Sequence, residues 1–143
     1  MIRGSCLCGG VTFEIARASG PFELCHCSRC RKVSGSAYRA GLLVDGKDFR
    51  LIDGKELIKT FEAPLVEAPP AYQQCFCSRC GCPVPSRGHG GSWFVPAGVL
   101  DDDPKVKPDK HIYVEFKAPW DTITDDLPQM TKQQIRAHRA RQH

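Results

Sequence analysis

Short runs of alternating apolar and polar residues, each closed by Gly, Pro or Asp, recur along the chain. The cleanest is Val11-Thr12-Phe13-Glu14-Ile15, where every second side chain is apolar. A period of two puts those side chains on one face of a strand. Further β-type runs occupy residues 40–44, 56–61, 72–76, 93–95 and 112–116, a spacing that predicts a mainly β domain of short antiparallel strands. Eleven prolines and thirteen glycines break any helical period. Only residues 129–141, after Pro128, combine helix-favouring composition with the absence of a breaker, so helix content is expected to be small. Residues 63–70 and 88–91 are expected to be exposed loops.

At 143 residues the chain fits one domain, placed at residues 1–128 and followed by a basic tail at 129–143. There is no apolar run of eighteen residues, and Met1 to Ser5 lead directly into the first cysteine pair, so a cytoplasmic protein with no membrane partner is expected. The net charge of +4 resides in the tail, where Lys132, Arg136, Arg139 and Arg141 have no acidic neighbour. The remaining body is neutral. Nucleic acid is therefore not the expected partner, since a binder carries its basic face on the folded domain, with aromatic side chains interleaved if the target is single-stranded.

The nine cysteines change this picture through their spacing: Cys6-Leu-Cys8, Cys25-His-Cys27-Ser-Arg-Cys30 and Cys75-Phe-Cys77-Ser-Arg-Cys80-Gly-Cys82. Closely spaced pairs place two thiolates on one turn, where both reach a tetrahedral ion at about 2.3 Å. An odd number of cysteines, in a chain expected in a reducing compartment, favours metal ligands over disulfides. On a straight strand the members of a CxC pair would face opposite ways, so each pair is expected where a strand ends in a tight turn, with Gly9, Gly10 and Gly81 permitting backbone amides to approach sulfur. A zinc held by three sulfurs keeps a fourth position for water or substrate, whereas four sulfurs close the site. Spacing alone leaves open which triplet Cys6 and Cys8 complete.

The ordered set S-C-L-C-G-G at 5–10, C-H-C-S-R-C at 25–30 with S-G-S at 34–36, F-C-S-R-C-G at 76–81, P-A-G-V-L-D-D at 96–102, and H-I-Y-V with a later P-W at 111–120 resembles the glutathione-dependent formaldehyde-activating enzyme family, which also includes centromere protein V-like domains. The resemblance covers residues 4 to about 130. It implies a β-tent fold and two zinc ions. One would be structural, held by Cys6, Cys8, Cys77 and Cys80. The other would be held by Cys25, Cys27 and Cys30 at the active site, with one position open. Cys75 and Cys82 have no role in the family pattern and are expected as buried thiols; either one reaching the second zinc would close it.

His26 lies between two candidate ligands, where a side chain points away from the ion, so a hydrogen-bonding role is expected. His89 and His111 are candidates for substrate contact, against a plain surface or core role. Asp101 to Asp103 read as a solvated turn, and Trp93 and Trp120 as packing. Arg31, with Lys32, and Ser34, Gly35 and Ser36 follow the second cluster and could receive the carboxylates of a glutathione-like ligand.

The resemblance implies a carbon–sulfur lyase of the S-(hydroxymethyl)glutathione synthase type, with a glutathione-like thiol and a small aldehyde, formaldehyde or a relative, as partners. The alternative is a non-catalytic zinc module that binds a thiol, a protein or a polyanion, the last through the basic tail.

Overall fold

The computed structural model describes residues 1–64 and 71–142; of the loop expected at 63–70, residues 65–70 lie outside the described residues. Among the described residues there are eleven strands and two short α-helices, besides several 3-10 turns: β1 (Ile2–Ser5), β2 (Thr12–Ile15), β3 (Phe22–Cys25), α1 (Ser28–Ser34), β4 (Arg39–Val44), β5 (Phe49–Asp53), β6 (Ile58–Glu62), β7 (Gln73–Cys77), β8 (Ser86–Arg87), β9 (Trp93–Pro96), β10 (Lys110–Ile112), β11 (Gln129–Met130) and α2 (Lys132–Ala140). The chain divides into two compact units. The first comprises residues 1–20 and 42–106, the second residues 21–41 and 107–143.

In the first unit β2 pairs antiparallel with β1 and β5, and β6 with β7. The alternation at residues 11–15 does its expected work: Phe13 and Ile15 are buried while Thr12 and Glu14 are only partly so. Gly4 lies opposite Phe13 across the β1–β2 pair. A Cβ there would come within 2.1 Å of the Phe13 ring, so the small residue makes room for the large one. Phe13 stacks on Phe49 and Phe49 on Trp93, with centroids 5.6 and 4.1 Å apart, and the Arg87 guanidinium covers Trp93. Trp93 thus packs, as expected. The core of this unit also takes in Val11, Val44, Val84 and Val95.

Gly54 links this fold to its cysteine turn. Its φ is +88°, and an added Cβ would approach the Gly10 carbonyl oxygen to 2.1 Å. Gly10 follows Cys8 directly, so β5 ends against the turn that carries the first cysteine pair. We expect Gly54→Ala to destabilise the protein by at least about 1–3 kcal/mol, from positive-φ strain alone, in urea unfolding. No loss of stability would show that the turn relaxes freely.

In the second unit β10 runs parallel to both β3 and β11. This departs from the antiparallel pairing expected of short strands. Parallel neighbours need long connections, and residues 113–128 supply one between β10 and β11. The strand expected at 112–116 stops at Ile112, because Tyr113 adopts a left-handed φ of +56° and Val114–Phe116 turn into a 3-10 helix. The C-terminal helix begins at Lys132, later than expected, behind a Thr131 capping box closed by Gln134. Ile135 is fully buried, and Arg139 pairs with Glu23 at 2.9 Å, so part of the tail's basic charge is satisfied within this unit. Among the described residues no helix is long and apolar enough to cross a membrane.

Candidate metal centres and their surroundings

Two clusters of cysteine sulfur form, one in each unit. Cys6, Cys8, Cys77 and Cys80 in the first unit, and Cys25, Cys27 and Cys30 in the second, each bring their Sγ atoms within 4.8 Å of one another. None of the nine cysteines is joined in a disulfide.

The four-sulfur cluster is assembled by the ends of strands, as the CxC argument requires. Cys6 follows β1, and Cys77 closes β7. Gly9 and Gly81 carry φ of +77° and +74°, which turn the chain back at each pair. Backbone amides then point at sulfur: Gly10 N–H donates to Cys8 Sγ at 3.4 Å and Val11 N–H to Cys6 Sγ at 3.3 Å. Cys6 and Cys8 Sγ are 3.5 Å apart, and Cys8 and Cys77 Sγ 3.8 Å. These exceed a disulfide bond of about 2.05 Å. They match the edge of about 3.8 Å that a tetrahedron with 2.3 Å zinc–sulfur bonds demands, so the donor set fits zinc.

Cluster thiols share their protons unequally. The Cys82 amide, with the Cys8 amide and the Cys77 and Cys8 thiols, brings Cys80 down to about 6. Although the Gly10 amide favours the Cys8 thiolate, burial and the neighbouring thiols push Cys8 up to about 11. Cys75 and Cys82 pack beside this cluster rather than joining it. Cys75 Sγ lies 3.3 Å from Thr60 Oγ1, and Cys82 donates to the Pro83 carbonyl at 3.3 Å.

The three-sulfur cluster has a different origin. Cys25 is the last residue of β3, Cys27 is the N-cap of α1, and Cys30 lies buried in that helix. The Cys30 amide donates to Cys27 Sγ at 3.3 Å. The Cys25 and Cys30 thiols, followed by that amide, hold Cys27 far below the ordinary thiol range, while Cys27 and Cys30 push Cys25 up. Among the described residues no fourth His, Cys, Asp or Glu donor joins this group.

Beyond Cys30 the expected anion-binding residues form the end of α1. Gly35 adopts a left-handed φ of +62° and its N–H donates to Arg31 O. Ser34 Oγ donates to the carbonyls of Cys30 and Tyr38 at 2.9 and 3.1 Å, and Ser36 N–H to Arg31 O at 3.3 Å. Ser34 and Gly35 therefore spend these polar groups on capping. Arg31 Nε is buried without a hydrogen-bond partner among the described residues.

His26 is fully buried, and its Nε2 lies 2.8 Å from Nδ1 of His111. His111 Nε2 in turn meets both oxygens of Asp125 at 2.9 and 3.1 Å. Tyr38 packs against both rings, tilted to His26 at a centroid distance of 5.3 Å and edge-on to His111 at 6.1 Å. Burial lowers the pKa of His26 and favours its neutral form; the hydrogen bond from His111 lowers that of Asp125. Sequence reasoning singled out both histidines but did not connect them. It missed Tyr38 and Asp125, for which the chain offers no local signal. Asp102 forms a two-pronged pair with Arg3, Asp101 accepts from Ser5, and Asp103 pairs with Lys105. His89 starts a 3-10 turn on the surface, and Trp120 is 70% exposed.

A family model described as "Glutathione-dependent formaldehyde-activating enzyme" matches residues 1–116. A Halomonas elongata protein named "Putative glutathione-dependent formaldehyde-activating enzyme" is 29% identical over 132 residues, covering 84% of this chain and 79% of that one. The crystal structure of a Rhodobacter sphaeroides protein superposes with a TM-score of 0.53 at 22% identity, over 74% of this chain and 91% of the other, which shows a shared fold.

Proposed function

The chain belongs to the glutathione-dependent formaldehyde-activating enzyme family, and on that premise we propose that it is a carbon–sulfur lyase joining glutathione, or a related thiol, to formaldehyde or a related aldehyde at the three-sulfur cluster. In the forward direction the S–H bond breaks and a carbon–sulfur bond forms. The carbonyl π pair moves onto oxygen, which takes up a proton, giving RS–CH2–OH; the reverse step releases thiol and aldehyde.

The observation that carries this reading is the unequal pair of clusters: four sulfurs in one, three in the other with no fourth donor among the described residues. Cys6, Cys8, Cys77 and Cys80 would hold a structural zinc and Cys25, Cys27 and Cys30 a second one. A zinc held by three thiolates supplies a vacant position that favours the thiolate form of an incoming thiol, or acts as a Lewis acid toward the aldehyde oxygen. Cys27 and Cys30 are fixed relative to each other by the N-cap bond, which preserves the donor geometry. Arg31, whose Nε lacks a partner, and Lys32 would receive a ligand carboxylate. Ser36 lies at the end of the same helix turn. Reduced thiols at this density suit a cytoplasmic setting.

Of the zinc-module alternatives, the one with a polyanionic partner rests on the basic tail. Its support weakens because Ile135 anchors the helix and Arg139 is paired with Glu23.

Native mass spectrometry of the purified protein during a glutathione titration tests the proposal. The expected spectrum has two metals per chain and one glutathione adduct, with formaldehyde addition faster than the uncatalysed reaction. Two metals with no adduct and no rate above background would sink the enzyme reading and favour the binding module.

A further inference from the structure

The residue just after β3, one from β10 and one from the segment before β11 meet in a hydrogen-bonded chain that the lyase reading leaves without a role. It runs from Asp125, whose side chain is 47% exposed, through His111 to the fully buried His26. His26 stands between two members of the three-sulfur cluster.

The donors and acceptors can be assigned in order. A carboxylate only accepts, so His111 Nε2 carries the hydrogen that meets Asp125. Neutral His111 then offers a lone pair at Nδ1, and His26 Nε2–H donates to it at 2.8 Å. His26 Nδ1 is left without a hydrogen. This agrees with its surroundings, because that atom is buried and has no hydrogen-bond partner among the described residues. A hydrogen placed there would be a buried donor with no acceptor. The backbone is held from the same strand: His26 N–H donates to Ile112 O at 3.0 Å, and Cys25 pairs with Ile112. Consecutive residues of β10 therefore grip His26 by its ring and by its main chain.

We infer that Asp125, His111 and His26 are positioning residues that fix the Cys25–Cys27 segment, and so set how tightly the three-sulfur cluster holds its metal. This rests on the reading of that cluster as a metal site. Partners of this kind commonly change metal affinity by about 10–100-fold when removed. Asp125 is the accessible handle. Its Oδ1 also accepts from Leu127 N–H at 3.0 Å, which fixes how an asparagine would sit in its place. In Asp125→Asn the amide NH2 replaces Oδ2, the oxygen 2.9 Å from His111 Nε2, and turns a donor toward that nitrogen's hydrogen. The retained Oδ1, 3.1 Å from the same nitrogen, is left as an uncharged acceptor already shared with Leu127 N–H. The Nε2–H form of His111 thereby loses its charged anchor, and a hydrogen moved to His111 Nδ1 would in turn place one at the partnerless Nδ1 of His26.

The test uses the metal-loaded full chain and zinc itself as the probe. Long-range 15N–1H spectra of histidine-labelled protein report the tautomers, and native mass spectra across a chelator series count metals per chain. In the wild type, both His26 and His111 should carry hydrogen on Nε2. Asp125→Asn should populate the Nδ1–H tautomer of both rings beside the Nε2–H one and release the second metal at a chelator level about 10–100-fold lower, with the first metal retained as before. Asp125→Glu, which restores a carboxylate, should recover both readouts. A merely structural role would lower thermal stability without changing the tautomers. Unchanged tautomers, or two metals lost from Asp125→Asn at wild-type chelator levels, would overturn this inference alone. A wild type that retains only one metal would overturn the metal-site reading together with it.

Discussion

Cys77→Ser is expected to leave the chain unable to fold at ambient temperature. Cys77 is fully buried at the end of β7, and its Sγ lies 3.8 Å from that of Cys8, which is 69 positions away in the chain. Its main chain bonds Cys82 O and Gly81 N–H, so the same residue shapes the second turn of the cluster. The fully buried apolar group around it is small, its aliphatic members Val11 and Val84 covered by the partly buried Leu51, Leu57 and Ile58. A structural zinc contributes about 10–16 kcal/mol in small metal domains, against a total stability of about 5–15 kcal/mol for a typical domain. Losing one of four thiolates therefore weakens an interaction as large as the whole margin, and leaves a serine hydroxyl buried in its place. Circular dichroism and zinc content, measured on protein purified with zinc present, check this. A folded variant with wild-type cooperativity and one metal fewer would show that the cluster is dispensable for stability.

Cys30→Ser should have the opposite profile: a folded protein without turnover. Cys30 lies within α1, in the unit whose packing includes Phe22, Leu24, Ile112 and Ile135. Serine preserves its volume, and the buried hydroxyl costs about 1–3 kcal/mol. Only two sulfurs of the cluster would remain, too few for a stable zinc site. A thiol with an ordinary pKa near 8.5 is about 3% thiolate at pH 7, so deprotonation at the site is worth about thirtyfold in reactive thiol. We expect the variant to lose the second metal and the glutathione adduct, and its rate of formaldehyde addition to fall by at least that factor, to the uncatalysed background. Native mass spectrometry and a stopped assay over the free-thiol rate check these. Retained turnover with one metal would remove the three-sulfur cluster from the mechanism.

These two variants separate because each cluster belongs to its own unit, and the chain's pattern shows only part of that arrangement. Alternation at residues 11–15 identified β2, since a half-buried strand repeats every two residues. Strand β3 was missed: four residues behind Pro21 are too few to show a period. Helix α1 was missed as well, because its seven residues include Ser28, Val33 and Ser34 and it is stabilised by the Cys27 cap rather than by propensity.

By itself the sequence determined the local chemistry: three groups of closely spaced thiols, the glycine turns that aim amides at sulfur, a mainly β chain and a basic last segment. Only the tertiary structure decided which distant groups meet. Cys6 and Cys8 were free, on spacing, to complete either triplet; their sulfurs come together with Cys77 and Cys80. His26, His111 and Asp125 are joined by the parallel pairing of β3 with β10 and by the chain's return beyond Ala118. Spacing records what one turn can hold, whereas these encounters follow from strand pairing and burial across the whole fold, for which a single sequence carries no local mark.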